Sequence, residues 1–332
     1  MSAGRVVVTR RLPESALELL GASADVWVSP HDRPLARSEL EAAVAGADAL
    51  VTMLHDRVDG PLLDAAGPQL RCVANVAVGY DNIDVPAATA RGVLVTNTPG
   101  VLTDATADLA MGLILAVTRR LGEGERLIRG GRPWSWHMFF MLGTGLQGKT
   151  LGIVGLGGIG TATARRARAF GMEIVYSGRR RAAPALEAEL GGARHLQLDE
   201  LLAVADVVSL HCPLTPETRH LLDASRLARM KRGAVLVNTA RGPVVDETAL
   251  VAALRDGVIA GAALDVFEHE PDVHPGLLEL EQVVLAPHLG SATVETRTAM
   301  AELAARNALA VLAGECAPTP VNVVPDAAAQ TR

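Results

Sequence analysis

Three short stretches carry residues that could do chemistry together. They are Asn238-Thr239-Ala240-Arg241-Gly242, Asp265-Val266-Phe267-Glu268-His269-Glu270-Pro271 and Leu285-Ala286-Pro287-His288-Leu289-Gly290-Ser291. Each follows or ends an apolar run that reads as a buried strand. Ligands of open α/β sheets bind outside the carboxyl ends of the strands, so the three stretches share one side of the sheet. Arg241 offers a planar fork that can grip a carboxylate through two parallel bonds. His288 can give up a proton near neutral pH. A neighbouring Glu270 would orient the imidazole and favour its charged form. A cation that holds a carboxylate and polarises a carbonyl, beside a proton donor, suits hydride transfer to a 2-oxo acid. Taken singly, each residue also has an ordinary role: a turn salt bridge, a solvated acid, a satisfied histidine. Glu268 competes with Glu270, because alternate residues of an extended segment face the same way.

A hydride donor needs a place, and the chain has one. Leu151 to Gly160 reads LGIVGLGGIG. Apolar residues that form a strand run into Gly155-Leu156-Gly157-Gly158-Ile159-Gly160, and Ala162 to Gly171 continues as a helical pattern. Strand, glycine turn and helix together are the context of a dinucleotide site. The glycines allow a tight turn, close approach of backbone to pyrophosphate, and close packing of helix on strand. The pyrophosphate would sit on the helix N-terminus, where free N–H groups and the dipole favour an anion. About 20 residues further on, NAD-binding members of this fold place an acid that holds the ribose 2′-hydroxyl. Here the second strand ends in Tyr176-Ser177-Gly178-Arg179-Arg180-Arg181, with no acid. A hydroxyl and three guanidinium groups suit a 2′-phosphate, so NADP(H) is favoured over NAD(H). Arg179 and Arg180 come first in the turn and are the leading candidates.

The elements that must position these residues follow from the pattern. Strand and helix signals alternate from residue 5 to Thr96 and again from Leu151 to Ala286. Such alternation argues for parallel sheets with helices on both faces. Thr98-Pro99-Gly100 breaks it. Two doubly wound domains are expected: a smaller one from 1–99 plus 288–332, and a dinucleotide-binding one from 100–287. Thr103 and Asp104 open one long helical stretch that reaches about Arg129. It is apolar on several sides and so belongs in a core or against a partner subunit. Trp134 to Leu142 holds too much apolar surface for open solvent. The last helix, about Val294 to Ala313, returns to the first domain, and the tail from Pro318 to Arg332 looks extended and then frayed.

Composition sets the outer bounds. At 332 residues with 49% hydrophobic content, the chain can fill two cores. Aromatics are only 3%, so those cores are built from Ala, Val and Leu. A net charge of −6 gives no reason to expect nucleic-acid binding. Cys72, Cys212 and Cys316 lie far apart with no CxxC, which fits a reducing, cytoplasmic setting. The start, MSAGRVVVTRRLPES, turns polar too soon for a signal peptide. The most apolar helix, Leu109 to Val117, is too short to span a bilayer. His269, His274, His288, Glu268 and Glu270 match no zinc spacing, so no metal is expected.

At this point the sequence resembles the D-isomer-specific 2-hydroxyacid dehydrogenases. The resemblance covers nearly the whole chain, through VAVGYDNIDVPAATARGV (76–93), VGLGGIG, LHCPLTPETRHLLD (210–223), LVNTARGPVVDETAL (236–250), ALDVFEHEP (263–271) and LAPHLGSAT (285–293). It implies a Rossmann domain and a smaller flavodoxin-like substrate domain with the active site in the cleft. It puts the catalytic Arg, Glu and His on Arg241, Glu270 and His288, and so chooses Glu270 over Glu268. It implies that backbone N–H groups at Val78 and Gly79 hold the substrate carboxylate, with Leu54 beside them. It extends the cofactor contacts to Cys212, Pro213, Thr239, Ala240, Asp265 and Gly290. A homodimer built on the long helix after Pro99 is implied too.

Within the family the chain is most similar to the glyoxylate/hydroxypyruvate reductases. In that branch a tryptophan matching Trp136 reaches the partner's active site and limits substrate size. One departure is Gly158, where many relatives carry an arginine that can touch phosphate. Val78 stands where phosphite dehydrogenases carry lysine, and Glu270 where formate dehydrogenases carry glutamine, which argues against both substrates. Another 2-hydroxyacid dehydrogenase, such as phosphoglycerate dehydrogenase, is one alternative. A dinucleotide-sensing corepressor that binds without turnover is the other.

Overall fold

Parallel strands covered on both faces read as unbroken apolar runs, and this chain supplies them in two sets. The computed structural model describes residues 4–324. It divides into two units, Met1–Leu102 with Thr293–Arg332, and Thr103–Ala292. The part of the tail beyond residue 324 lies outside the described residues.

In the first unit the chain runs β1 (Gly4–Val8), α1 (Glu14–Gly21), β2 (Ala24–Val28), α2 (Arg37–Val44), β3 (Ala49–Thr52), α3 (Gly60–Ala66), β4 (Cys72–Asn75), α4 (Val85–Ala90) and β5 (Leu94–Thr96). The sheet order is β2-β1-β3-β4-β5, with every pair parallel. This is the flavodoxin-like winding. Alternate strand residues point to opposite faces. Val7, Leu50, Val73 and Val95 meet Leu40, Leu62 and Leu63 on one face. Val6, Val8, Val51 and Ala74 meet Leu20 and the C-terminal helix on the other. That helix presents Ala301, Ala304, Ala305 and Ala308 to the sheet, a small-residue stripe at helical spacing. Asp59 and Asp84 cap α3 and α4 through their side chains, each with proline in the first turn.

The second unit runs α5 (Thr103–Thr118), α6 (Leu121–Arg129), β6 (Thr150–Val154), α7 (Gly158–Ala169), β7 (Glu173–Ser177), α8 (Pro184–Glu189), β8 (Arg194–His195), α9 (Leu198–Val204), β9 (Val207–Leu210), α10 (Ala224–Leu227), β10 (Val235–Asn238), α11 (Glu247–Arg255), β11 (Gly261–Leu264), α12 (Pro275–Leu278) and β12 (Val283–Leu285). The chain then enters α13 (Val294–Leu312), which belongs to the first unit. The sheet order is β12-β11-β10-β9-β6-β7-β8, again all parallel. The order reverses between β6 and β9, and at such a switch point a crevice opens outside the carboxyl ends.

The structure adds to or differs from the expected elements at four points. The long helix after Thr103 is two helices. Arg120 sits at φ 55°, in the left-handed region, and breaks the ladder. Its guanidinium then clamps Glu123 in the first turn of α6, at 2.6 and 2.8 Å. The segment 134–142 does not find cover within the chain. Trp134 stacks on Phe140 at 5.9 Å, but Trp136 and Phe139 are 77% and 78% exposed. The two-residue edge strand β8 carries no periodic signal and was not expected. Residues 288–292 belong with the second unit, not the first. They are tied there by hydrogen bonds of His288, Leu289 and Gly290 to Asp265.

Candidate active site

The glycine turn is shaped by what a side chain would strike. A Cβ on Gly155 (φ 98°) would lie 2.8 Å from the backbone at His211 and Cys212, so strand-end backbone passes hard against it. A Cβ on Gly160 would lie 2.2 Å from the Gly155 carbonyl oxygen, so only glycine lets α7 close on β6. Gly157 differs: nothing stands within 4 Å of its Cβ position. That position is open ground over the first turn of α7. Gly157 is also the N-cap and provides no side-chain acceptor. The leading N–H groups of α7 therefore need an acceptor from outside the helix, which fits the pyrophosphate of a dinucleotide. Gly158 is exposed, with only the Thr103 side chain near its Cβ position, at 3.6 Å. A Cβ there would meet only ordinary van der Waals contact. Leu156 and Ile159 are half-buried.

Every other second-unit candidate except Trp136 stands at or past the carboxyl end of a strand. Ser177 ends β7, and Arg179 and Arg180 follow it, both exposed. Cys212 and Pro213 follow β9; burial pushes the Cys212 thiol up to about 11, so it acts as a small neutral group. Thr239 and Ala240 follow β10. The Thr239 hydroxyl is buried without a partner among the described residues.

The loops that follow β11 and β12 bring reactive side chains together. His288 Nδ1 lies 2.8 Å from Glu270 Oε2. Glu270 Oε1 accepts the Phe267 N–H at 3.0 Å, which fixes the carboxylate. With Nδ1 engaged, Nε2 is the nitrogen left to meet a ligand. The two side chains are 25% and 18% exposed, enough for access. His288 itself takes φ 54°, a conformation that costs about 1–3 kcal/mol and must be held. Asp265 holds it. Its carbonyl accepts the His288 N–H at 2.8 Å, and its carboxylate accepts Leu289 N at 2.6 Å and Gly290 N at 2.8 Å. Burial pushes the Asp265 carboxyl up. Any contact of Asp265 or Gly290 with a cofactor is additional to securing this loop.

Glu268 is otherwise engaged. It lies 2.5 Å from His220 Nε2 and accepts the Glu247 N–H at 3.1 Å. Its own N–H donates to Glu247 at 2.9 Å. His274 caps α12. No group of three or more metal-ligating side chains gathers among the described residues.

Arg241 is carried on a turn pressed against the Glu270 loop. Asn238 Nδ2 donates to the Arg241 carbonyl at 2.9 Å, and Arg241 Nη1 donates to the Ala240 carbonyl at 2.8 Å. A Cβ on Gly242 would fall 1.8 Å from the Phe267 carbonyl carbon. The Arg241 and Glu270 loops thus touch backbone to backbone.

On the first unit, Leu54 follows β3 and Val78-Gly79 follows β4, again at carboxyl ends. Asn97 Nδ2 donates to the Val78 carbonyl at 2.8 Å, and Asn75 Nδ2 to the Gly79 carbonyl at 2.9 Å. Asn82 Nδ2 donates to the Met53 and Asp56 carbonyls at 3.1 and 2.9 Å. Neither the Val78 nor the Gly79 N–H donates to a backbone carbonyl among the described residues. These asparagines were not singled out from sequence. The signal was a lone polar residue closing a buried run, as in CVAN. Trp136 makes no hydrogen bond or ring contact with the reactive trio. Among the described residues no helix is long and apolar enough to cross a membrane.

Known proteins can now be set beside this geometry. Residues 111–290 match the family model for the D-isomer specific 2-hydroxyacid dehydrogenase, NAD binding domain. The chain is 52% identical to the glyoxylate reductases of Thermococcus onnurineus and Thermococcus kodakarensis, covering 96% of this chain and 96% of each. A solved glyoxylate reductase from Paecilomyes thermophila is 37% identical with TM-score 0.87, covering 97% of this chain and 99% of that one. An NADPH-dependent glyoxylate/hydroxypyruvate reductase from Sinorhizobium meliloti, solved with NADP and malonate, is 37% identical with TM-score 0.82, covering 96% and 97%. A glycine turn open at Gly157, an imidazole fixed by a carboxylate and these likenesses agree: the chain belongs to the D-isomer specific 2-hydroxyacid dehydrogenases.

Proposed function

We propose that the protein reduces a small 2-oxo acid, glyoxylate or hydroxypyruvate, to the 2-hydroxy acid at the expense of NADPH. The observation that carries the reading is the His288–Glu270 pair at 2.8 Å, on a strand end of the sheet that bears the glycine turn. The names of the relatives support the substrate class. A bound nicotinamide supplies the hydride. His288 holds the proton at Nε2 and delivers it to the oxygen that becomes the hydroxyl. Glu270 keeps the ring turned. Arg241 binds the carboxylate and draws electron density from the carbonyl. The reading also counts the N–H groups of Val78 and Gly79 as carboxylate donors and Leu54 as a substrate contact. The absence of an acid at the end of β7 favours the phosphorylated dinucleotide.

A panel of 2-oxo acids assayed with NADPH and NADH in parallel tests this. Glyoxylate or hydroxypyruvate should give the highest kcat/KM, and NADPH should exceed NADH. Tight nucleotide binding without turnover of any acid would instead support a sensing module.

The reading includes a homodimer that covers Trp134–Leu142 and brings Trp136 to the partner's substrate. Exposed Trp136, Phe139 and Leu142 supply the apolar surface for it. Sedimentation should give twice the chain mass, and a monomer at assay concentration would remove this part.

A further inference from the structure

Three arginines follow β7, and the chain spends one of them on itself. Arg181 Nε and Nη2 donate to Glu187 Oε1 and Oε2 at 2.9 and 2.8 Å. The buried Tyr176 hydroxyl donates to Glu187 Oε1 at 2.5 Å and accepts the Ala182 N–H at 2.8 Å. His195 on β8 closes the other side: its ring centroid lies 5.1 Å from that of Tyr176, and its Nε2 is 3.2 Å from the Gly178 carbonyl oxygen. The Arg181 guanidinium and the Tyr176 hydroxyl hold the Glu187 carboxyl at about 2, so it is ionised throughout the working range.

Arg179 and Arg180 differ. Both are exposed, and among the described residues neither makes a hydrogen bond or an ion pair. Arg179 does contribute, after the Thr215 hydroxyl, to lowering the Glu217 carboxyl.

Glu187 takes the Nε–Nη2 edge of Arg181, the edge that a side-on phosphate would use. A phosphate seeking that edge would have to displace Glu187 and leave its carboxylate with the Tyr176 hydroxyl alone. The same pairing cancels the Glu187 charge, so the acid does not repel an incoming dianion. We propose that Glu187 is a positioning residue for cofactor choice. With Tyr176 it engages the Nε–Nη2 edge of Arg181 and fixes the turn so that Ser177, Arg179 and Arg180 receive a ribose 2′-phosphate. The inference rests on the NADPH reading above.

The test compares KM for NADPH and NADH, with glyoxylate as substrate, across a set of variants. Arg179→Ala or Arg180→Ala should raise KM for NADPH on the order of tenfold, the worth of a lost charge-assisted bond, with NADH changed little. Glu187→Gln and Arg181→Ala should each raise KM for NADPH several-fold while kcat and the NADH values hold. The double variant should be no worse than either single one, because the two residues act as one unit. Arg181→Lys should recover part of the loss. Tyr176→Phe keeps the ring, should move the ratio the same way by less, and serves if Glu187→Gln fails to fold.

Equal losses with both cofactors would reduce the network to a brace and overturn the inference. A Glu187→Gln protein that binds NADPH as well or better, beside an Arg181→Ala protein that binds it poorly, would make Arg181 a phosphate ligand and also overturn it. A wild type with no preference for NADPH overturns the cofactor reading and this inference together. A wild-type preference that survives Glu187→Gln overturns the inference alone.

Discussion

His288→Asn should lower kcat for glyoxylate reduction by about two to four orders of magnitude, the usual worth of a positioned general acid. KM for NADPH should hold, because the glycine turn lies on a different strand end. Stopped-flow single turnovers would separate hydride transfer from nucleotide binding. A variant within about threefold of wild-type kcat would remove His288 from the chemistry.

Glu270→Gln should behave differently. Its carboxylate stands 2.8 Å from Nδ1 and is itself fixed by the Phe267 N–H, so it orients the ring without touching the reacting atoms. The amide keeps the shape but not the fixed acceptor, so kcat should fall by less than for His288→Asn while KM for NADPH holds. Glu268→Gln should leave kcat within about threefold, because Glu268 is bound to His220 and to the Glu247 N–H. If Glu268→Gln lowered kcat and Glu270→Gln did not, the acid's role would pass to Glu268.

Gly242→Ala should be nearly as damaging, without touching a reactive group. The new methyl would fall 1.8 Å from the Phe267 carbonyl carbon and 2.4 Å from the Glu268 nitrogen. Both are backbone atoms, so no rotamer change relieves the clash. The Phe267–Glu268 peptide must move, and Phe267 N is the donor that fixes Glu270. A shift of about 1 Å in a reacting group can cost about a hundredfold in rate. Forced overpacking of this kind costs about 1–3 kcal/mol, or several degrees in melting temperature for a unit of this size. We expect kcat down about a hundredfold, a lower melting transition, and NADPH affinity changed far less. Calorimetry with the steady-state assay checks this, and an unchanged kcat would mean that the Arg241 and Glu270 loops do not share a register.

Local signals carried much of the architecture. Apart from β8, the strands stand at short apolar runs, because parallel strands covered by helices favour apolar residues. The turn at Gly155–Gly160 was legible because strand, glycines and helix are consecutive. So were the stretches that hold Arg241, Glu270 and His288, each set next to its own strand end.

Choices that depend on partners distant in sequence were not legible. Glu268 and Glu270 are equivalent by spacing, and what separates them is His220, 48 residues before Glu268. The three arginines after β7 look alike until α8 brings Glu187 under one of them. The loop carrying His288 sits with the second unit, and not with the helix that follows it, because its anchor Asp265 stands just past β11. The helix after Thr103 breaks at Arg120, in the left-handed region, although the nearby glycines, Gly122 and Gly124, stand inside the next helix. The sequence determined which groups are present and on which edge of which sheet they stand. The tertiary structure decided which of them meet, because a hydrogen bond is set by position in space and not by periodicity along the chain.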